Sequence, residues 1–410
     1  MTESSPLRSR LRTAALVGVG GVVLASCAQD APQDTWQPAG SEAQKIHDLQ
    51  WPIFLIAGIV GLIVMAVVAV VVVKFKDRGQ PIPEQSHGKA WLEYLFIALP
   101  AVLLAGIAVP TVATIIDLND TDDADCVINV TGQQWWWEYD YPIAADGSIC
   151  GFMPTGESGT IVTSGQMVIP TDAKVVIRGT SRDVIHSFWV PRLNGKRDMV
   201  PGRVHTWNFN AEQPGIYAGQ CAEFCGLSHA NMRMEIVALD DTDFQAWIDN
   251  QLEPYQSPEE GTLAADGESE FIAQCARCHQ VDGLVDADGE LVVSNPEDQV
   301  YSGAAPNLTN FMTRNTFAGA TWDLLNEECR ADVWEADPEV FGDLYLEGVT
   351  ESCLNEIDLK EWLRDAPAKK PMYADAESLE ATDGLVRGMP YLALSEDQID
   401  RLVAYLLERK

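Results

Sequence analysis

The chain has 410 residues, too many for one ordinary domain and enough for two or three. Its formal charge of −34 argues against nucleic-acid binding and points to a soluble acidic surface or to cationic partners. The charge is uneven. Residues up to 116 are apolar with scattered basic side chains, and acidic residues crowd the chain after Asp117.

Residues 1–27 read as a processing segment. Arg8, Arg10 and Arg12 precede an apolar run, Ala14 to Leu24, that is too short to span a bilayer. Leu24-Ala25-Ser26-Cys27 resembles a bacterial lipobox, which would make Cys27 the lipidated mature N-terminus; a plain signal peptide is the alternative, and both export the chain. Residues 28–50 read as an exported tether. Residues 51–116 then predict a transmembrane hairpin with helices over about 51–73 and 91–116. Lys74, Lys76 and Arg78 place the connecting turn in the cytoplasm, so the mature N-terminus and everything after Asp117 lie outside a bacterial cell membrane that the chain crosses twice.

From 117 to 245 the pattern changes to short β-rich segments with Gly, Pro and Asp turns: CVINVTGQQWWWEYDY, GTIVTSGQMVIP, AKVVIRGT, RVHTWNFNAE and MRMEIVAL. This predicts a β-sandwich of cupredoxin type. Trp135, Trp136 and Trp137 cannot all point inward on one strand, because side chains alternate, so at least one belongs at the surface or an interface.

Residues 221–232, CAEFCGLSHANM, gather Cys221, Glu223, Cys225, His229 and Met232 within twelve positions, in a stretch that glycines keep from being a regular helix. Thiolates with imidazoles and a thioether are a donor set that copper selects. Two cysteines suit a pair of coppers bridged by both sulfurs, and His186, in DVIHSFWVP at the end of a β-branched run, is the candidate second imidazole. A disulfide would leave His229 and Met232 without a role, and zinc would not use the methionine.

Over residues 45–250 this pattern resembles subunit II of haem–copper cytochrome c oxidases. The resemblance implies a dinuclear CuA centre on His186, Cys221, Cys225, His229 and Met232, with the Glu223 carbonyl on one copper. It also implies that the Glu223 carboxylate reaches a magnesium or manganese ion at the border with subunit I, and that electrons enter CuA at Trp135. Glu93, in LEYLF, would lie at the mouth of a proton-uptake channel, against the alternative of a carboxylate at the membrane interface. Asp183 is a candidate hydrogen-bond partner behind His186. Lys196 to Asp198 keep the family's lysine and acidic residue. His205 reads as structural, and His47 and His87 have no constellation around them.

After an acidic linker over 246–265, residues 266–410 contain FIAQCARCHQ. Cys275, Cys278 and His279 form Cys-x-x-Cys-His, the attachment motif for covalent haem c with the histidine on iron. No histidine follows His279, so methionine is the expected sixth ligand, from Met312, Met372 or Met389. Met389 is preferred because RGMPYLALSEDQIDRLVAYLLERK, a Met-Pro turn before an amphipathic helix, resembles class I cytochromes c. Pro306 to Thr309 resemble the loop that abuts haem there, and an all-α class I cytochrome c domain is the expected fold. Haem c fused behind a CuA domain resembles the caa3-type oxidases. The stretch 316–362 departs from the family. Four remaining cysteines lie in exported segments, where disulfides persist; proximity pairs Cys126 with Cys150 and Cys329 with Cys353, though sequence leaves the connectivity open.

The reading is therefore subunit II of a respiratory terminal oxidase. Electrons run from haem c through CuA to subunit I, where O2 is reduced to water and protons are translocated. Subunits I and III and membrane lipid are the expected neighbours, and cytochrome c or a cytochrome bc complex the expected donor. The alternative is a free-standing, membrane-anchored copper and haem carrier serving another reductase.

Overall fold

The computed structural model describes residues 31–79, 87–292, 305–374 and 387–410. The signal segment and Cys27 lie outside the described residues. Helix α1 (Ser41–Lys74, 34 residues) and helix α2 (Ala90–Leu118, 29 residues) are both long and apolar enough to cross a membrane. They run antiparallel, because Lys45 near the start of α1 meets Asp117 near the end of α2 at 2.8 Å.

Helix α1 begins well before the apolar run, so residues 41–50 are helix rather than tether. The reason is contact. A helix N-terminus leaves backbone donors without partners; here Ser41 N donates to Asn210 Oδ1 at 2.7 Å, and Ala43 N donates to Leu193 O at 3.1 Å. The first turn is thus built onto the β-domain, and Glu42 and Ala43 are buried there.

The β-domain has a five-stranded sheet of order β3-β2-β1-β5-β8 and a three-stranded sheet of order β4-β10-β9. The first contains β1 (Cys126–Gln133), β2 (Trp136–Tyr141), β3 (Ile161–Ser164), β5 (Val175–Ser181) and β8 (His205–Phe209). The second contains β4 (Gln166–Pro170), β9 (Gly215–Gln220) and β10 (Arg233–Leu239). GTIVTSGQMVIP, expected as one segment, is two strands in different sheets, with Gly165 between them. A small ribbon of β6 (His186–Phe188) and β7 (Arg197–Met199) completes the domain. Period-two alternation sends Trp137, Tyr139 and Tyr141 into the core, where Tyr141 Oη donates to Val168 O across the sheets at 2.8 Å. Cys126 is bonded to Cys150.

Helix α3 (Asp241–Gln251) is capped by Asp240, whose carboxylate accepts from Thr242 N and Asp243 N, and it buries Phe244, Trp247 and Ile248. Helix α4 (Leu263–Gln274) leads into Cys275. Residues 305–374 hold a two-stranded ribbon, β11 (Thr316–Phe317) and β12 (Trp322–Asp323), and the helices α5 (Glu327–Trp334), α6 (Pro338–Leu346), α7 (Glu356–Arg364) and α8 (Ala366–Lys369). Cys329 is bonded to Cys353 across this stretch. The final helix α9 (Glu396–Leu407) starts at a Ser395/Gln398 capping box and buries Ile399, Leu402, Val403, Tyr405 and Leu406 on one face. It packs on α4, with Phe271 and Tyr405 rings 5.1 Å apart.

The C-terminal half docks on the β-domain. Arg233 N donates to Gly319 O at 3.1 Å, Asn315 N to Gln166 Oε1 at 2.8 Å, and Thr321 Oγ1 to Asn231 O at 2.6 Å.

Candidate metal centre

The loop 221–232 is the connection of a hairpin. Strands β9 and β10 are antiparallel with Gln220 opposite Arg233, and Cys221 N donates to Met232 O at 2.9 Å. Cys221 and Met232 therefore meet although they are far apart along the loop. Gly226 takes a positive φ of 111°, and His229 opens a short 3₁₀ turn. The loop is pinned to β6 by Ala222 N donating to Ser187 O at 2.9 Å, which brings in His186 from outside.

Strand β5 does not continue to His186, as the β-branched run suggested. It ends at Ser181, and Asp183 in the break turns back so that its Oδ1 lies 2.8 Å from His186 Nε2. That hydrogen bond leaves the Nδ1 lone pair facing Cys221 Sγ at 4.0 Å. Gly132 makes room: a Cβ there would stand 3.0 Å from the His186 ring and 3.1 Å from Trp137.

The donors converge. Cys221 and Cys225 sulfurs are 3.8 Å apart, Cys225 Sγ is 3.5 Å from His229 Nδ1 and 3.8 Å from Met232 Sδ, and Cys221 Sγ is 3.2 Å from Glu223 O. His186, Cys221 and Cys225 form a buried cluster able to hold a metal ion. The two cysteines are not bonded to each other. The hydrogen bond with Cys225 pulls the Cys221 thiol down to about 4, burial opposing it and His186 assisting, while Cys225 is pushed up by the same neighbour and by burial. Burial works against a charged His186, but the hydrogen bond to Asp183 raises it overall. Soft sulfur, imidazole nitrogen and thioether at these separations fit copper. The Glu223 side chain is exposed and stands outside this cluster.

All three tryptophans are buried. Trp137 enters the sandwich core, and Trp135 and Trp136 lie under the C-terminal half, so the expected interface is internal. Trp135 Nε1 donates to Cys225 O at 3.1 Å, Gln134 Nε2 donates to the same carbonyl at 2.7 Å, and the Tyr373 ring lies 5.2 Å from Trp135.

Cys275, Cys278, His279, Met372 and Met389 all line one largely apolar cavity of about 370 Å³. Its other walls include Phe271 and Leu402 on one side and Trp135 and Trp136 on the other. His279 Nδ1 lies 2.8 Å from Pro306 O, which leaves Nε2 free to ligate. Met312 is buried and does not line the cavity. A dithiol redox motif needs a depressed thiol pKa; burial instead pushes Cys275 up to about 12 and also raises Cys278. The residues fit a haem held by two cysteines, a histidine and a methionine. Elsewhere, Glu93 lies exposed near the start of α2, and His205 Nε2 is buried without a hydrogen-bond partner among the described residues.

Two buried cations at this cavity were not legible in the sequence. Lys370 donates to Trp135 O at 2.9 Å and to Ala318 O at 2.7 Å, and burial pushes it down to about 7. Arg314 donates to Ser164 Oγ, Asn307 O and Thr309 O, and burial lowers it to about 10. The contacts of Lys370, and that of Arg314 to Ser164, join residues far apart in the chain and leave no local pattern.

The chain matches the model of the cytochrome c oxidase subunit II transmembrane domain over residues 29–114 and that of the subunit's periplasmic domain over residues 126–239. It is 33% identical over 327 residues to cytochrome c oxidase subunit 2 of Alkalihalophilus pseudofirmus, covering 77% of this chain and 85% of that one. The corresponding protein of Bacillus sp. PS3 is 30% identical over 349 residues, covering 82% and 79%. Among solved structures, the periplasmic domain of subunit II of cytochrome oxidase from Bradyrhizobium japonicum is 30% identical, with 32% of this chain and 96% of that one covered and a TM-score of 0.28. The chain belongs to the cytochrome c oxidase subunit II family, a membrane-anchored component of haem–copper terminal oxidases with an extracytoplasmic domain.

Proposed function

We propose that this subunit carries two one-electron sites of its own: a dinuclear CuA centre on His186, Cys221, Cys225, His229, Met232 and the Glu223 carbonyl, and a covalent haem c on Cys275, Cys278, His279 and Met389. Its task is electron delivery from the haem c site through the copper pair to subunit I, which reduces O2 and translocates protons. This is the caa3 arrangement, with residues 266–410 as a fused class I cytochrome c domain. The chain crosses the membrane twice, with Glu93 at a proton-uptake mouth, and the Glu223 carboxylate reaches a magnesium or manganese ion shared with subunit I. Subunit III, and cytochrome c or a cytochrome bc complex as donor, complete the reading.

The observation that carries it is Trp135. Its ring forms part of the wall of the cavity that Cys275, Cys278 and His279 border, and its indole N–H donates to the carbonyl of Cys225. One side chain therefore spans the two candidate sites. The alignment with the Alkalihalophilus protein supports a related C-terminal half, because 327 aligned residues exceed the stretch from 29 to 239.

Bound in these sites, the two groups supply one-electron redox chemistry. The residues supply fixed geometry and exclude water. Asp183 orients the His186 ring, Pro306 O orients the His279 ring, and the hairpin closure from Cys221 to Met232 keeps the donors assembled. Phe271, Leu308, Leu402 and Leu406 keep the cavity apolar.

Electron paramagnetic resonance with metal analysis on the purified full chain tests this. Two coppers and one haem iron per chain, with one unpaired electron shared over both coppers, is the expected result. A single-copper spectrum, bound zinc, or absence of covalent haem would reject it.

A further inference from the structure

One short segment of the C-terminal half crosses the metal loop as a strap. Lys370 Nζ holds Trp135 O at 2.9 Å, Ser228 Oγ donates to Pro371 O at 2.5 Å, and Tyr373 packs its ring on Trp135. Tyr373 and Arg387 are joined by reciprocal backbone hydrogen bonds of 3.0 and 3.1 Å. This places Arg387 Nε 3.8 Å from Asp183 Oδ2.

None of these contacts touches a candidate copper donor, yet each ends beside one. Trp135 is hydrogen-bonded to the Cys225 carbonyl, Ser228 precedes His229, and Asp183 holds His186. Simple domain packing would be served by apolar side chains. A buried ammonium costs several kcal/mol unless its surroundings compensate, and Lys370, 3% exposed, has two carbonyl acceptors and no ion pair among the described residues. Its position spends stability on holding the Trp135 carbonyl. Arg387 adds a positive charge behind a carboxylate that already accepts from Gln134 N at 2.7 Å and binds the His186 ring. The carboxylate's basicity, and through it the imidazole's donor strength, responds to that charge.

We propose that Lys370 and Arg387 are positioning residues through which the C-terminal half sets the geometry and donor strength of the copper site. This rests on the reading of residues 186 and 221–232 as a copper pair. The strap makes the loop's environment part of two domains, so the electronic structure of the copper pair depends on domain docking.

The test uses the full-length protein with its metals, comparing wild type with Lys370→Met, Lys370→Arg and Arg387→Gln. Copper content, copper hyperfine splitting, copper midpoint potential and the haem absorption spectrum are measured on each. Lys370→Met and Arg387→Gln are expected to keep the haem spectrum, shift the copper hyperfine pattern and potential, and weaken copper retention roughly tenfold; Lys370→Arg restores part of the shift. Hydrogen exchange on the same samples is expected to quicken in residues 131–136 and 221–232. Wild-type copper spectra, potentials and exchange in the variants would overturn the proposal. Arg387, 29% exposed, can be replaced without opening the core, so that variant decides the matter even if Lys370→Met fails to fold. A wild-type protein that binds no copper pair would instead reject the underlying metal assignment, and that outcome is read from the control alone.

Discussion

Asp183 Oδ1 lies 2.8 Å from His186 Nε2, three residues along the chain, in a break that ends one strand before the next begins. The pair fixes which imidazole nitrogen faces the sulfurs. Asp183→Asn keeps an acceptor but loses the charge, and Asp183→Leu loses both. Copper affinity should fall by roughly tenfold in the first and roughly a hundredfold in the second, by competition with a copper chelator. Equal affinities in all three proteins would show that the ring is held by packing alone.

Glu235 on β10 gives a pH dependence. Burial pushes its carboxyl up from 4.5 to about 7, although Gln166 donates to it at 2.6 Å. The folded protein therefore keeps this proton to higher pH than the unfolded chain does. The stability it contributes is fully present below pH 4.5 and is lost as pH rises through 7, by roughly 3 kcal/mol. Glu235→Gln should be more stable than wild type at pH 8 and should flatten the melting profile between pH 4.5 and 7. Thermal melts across that range check both.

Gly267 sits where helices α4 and α9 touch. A Cβ there would lie 2.0 Å from Arg401 O and 2.8 Å from the Tyr405 Cβ. Gly267→Ala should destabilise the C-terminal half by about 1–3 kcal/mol through forced separation of the two helices. Calorimetry should show this in the transition of that half, with copper spectra unchanged.

Both Met372 and Met389 line the cavity, so ligation separates them. Met389→Leu is expected to abolish methionine–iron absorption and lower the haem potential, because thioether ligation raises it. Met372→Leu should leave both intact. The reverse pattern would assign the ligand to Met372.

The candidate metal loop was legible because its pattern is local: four candidate donor side chains and two hairpin strands lie within residues 215–239. The two apolar spans were legible for the same reason. Helix α1's start at Ser41 was not, since Ser41 to Gln50 is polar and becomes helix by donating to Leu193 O and Asn210 Oδ1 in another domain. Alternation correctly denied the three tryptophans a common inward face, but could not say that residues beyond 300 would cover the outward ones. Lys370 and Arg387 are illegible on the same ground. Their partners, Trp135 and Asp183, are more than two hundred positions away.

For the proposed haem c, the cavity wall shared between the two halves also imposes an order on maturation. Cys275 is 8% exposed, and Trp135, Trp136 and Ser164 line the cavity that it borders. Any enzyme that forms bonds at Cys275 and Cys278 has to reach them while that face is still open. With haem c attached as proposed, thioether formation comes before docking, because a chain whose halves close first encloses the Cys275 thiol and leaves Cys278 half-buried. On that assignment, biogenesis of this subunit is a race between covalent chemistry and folding.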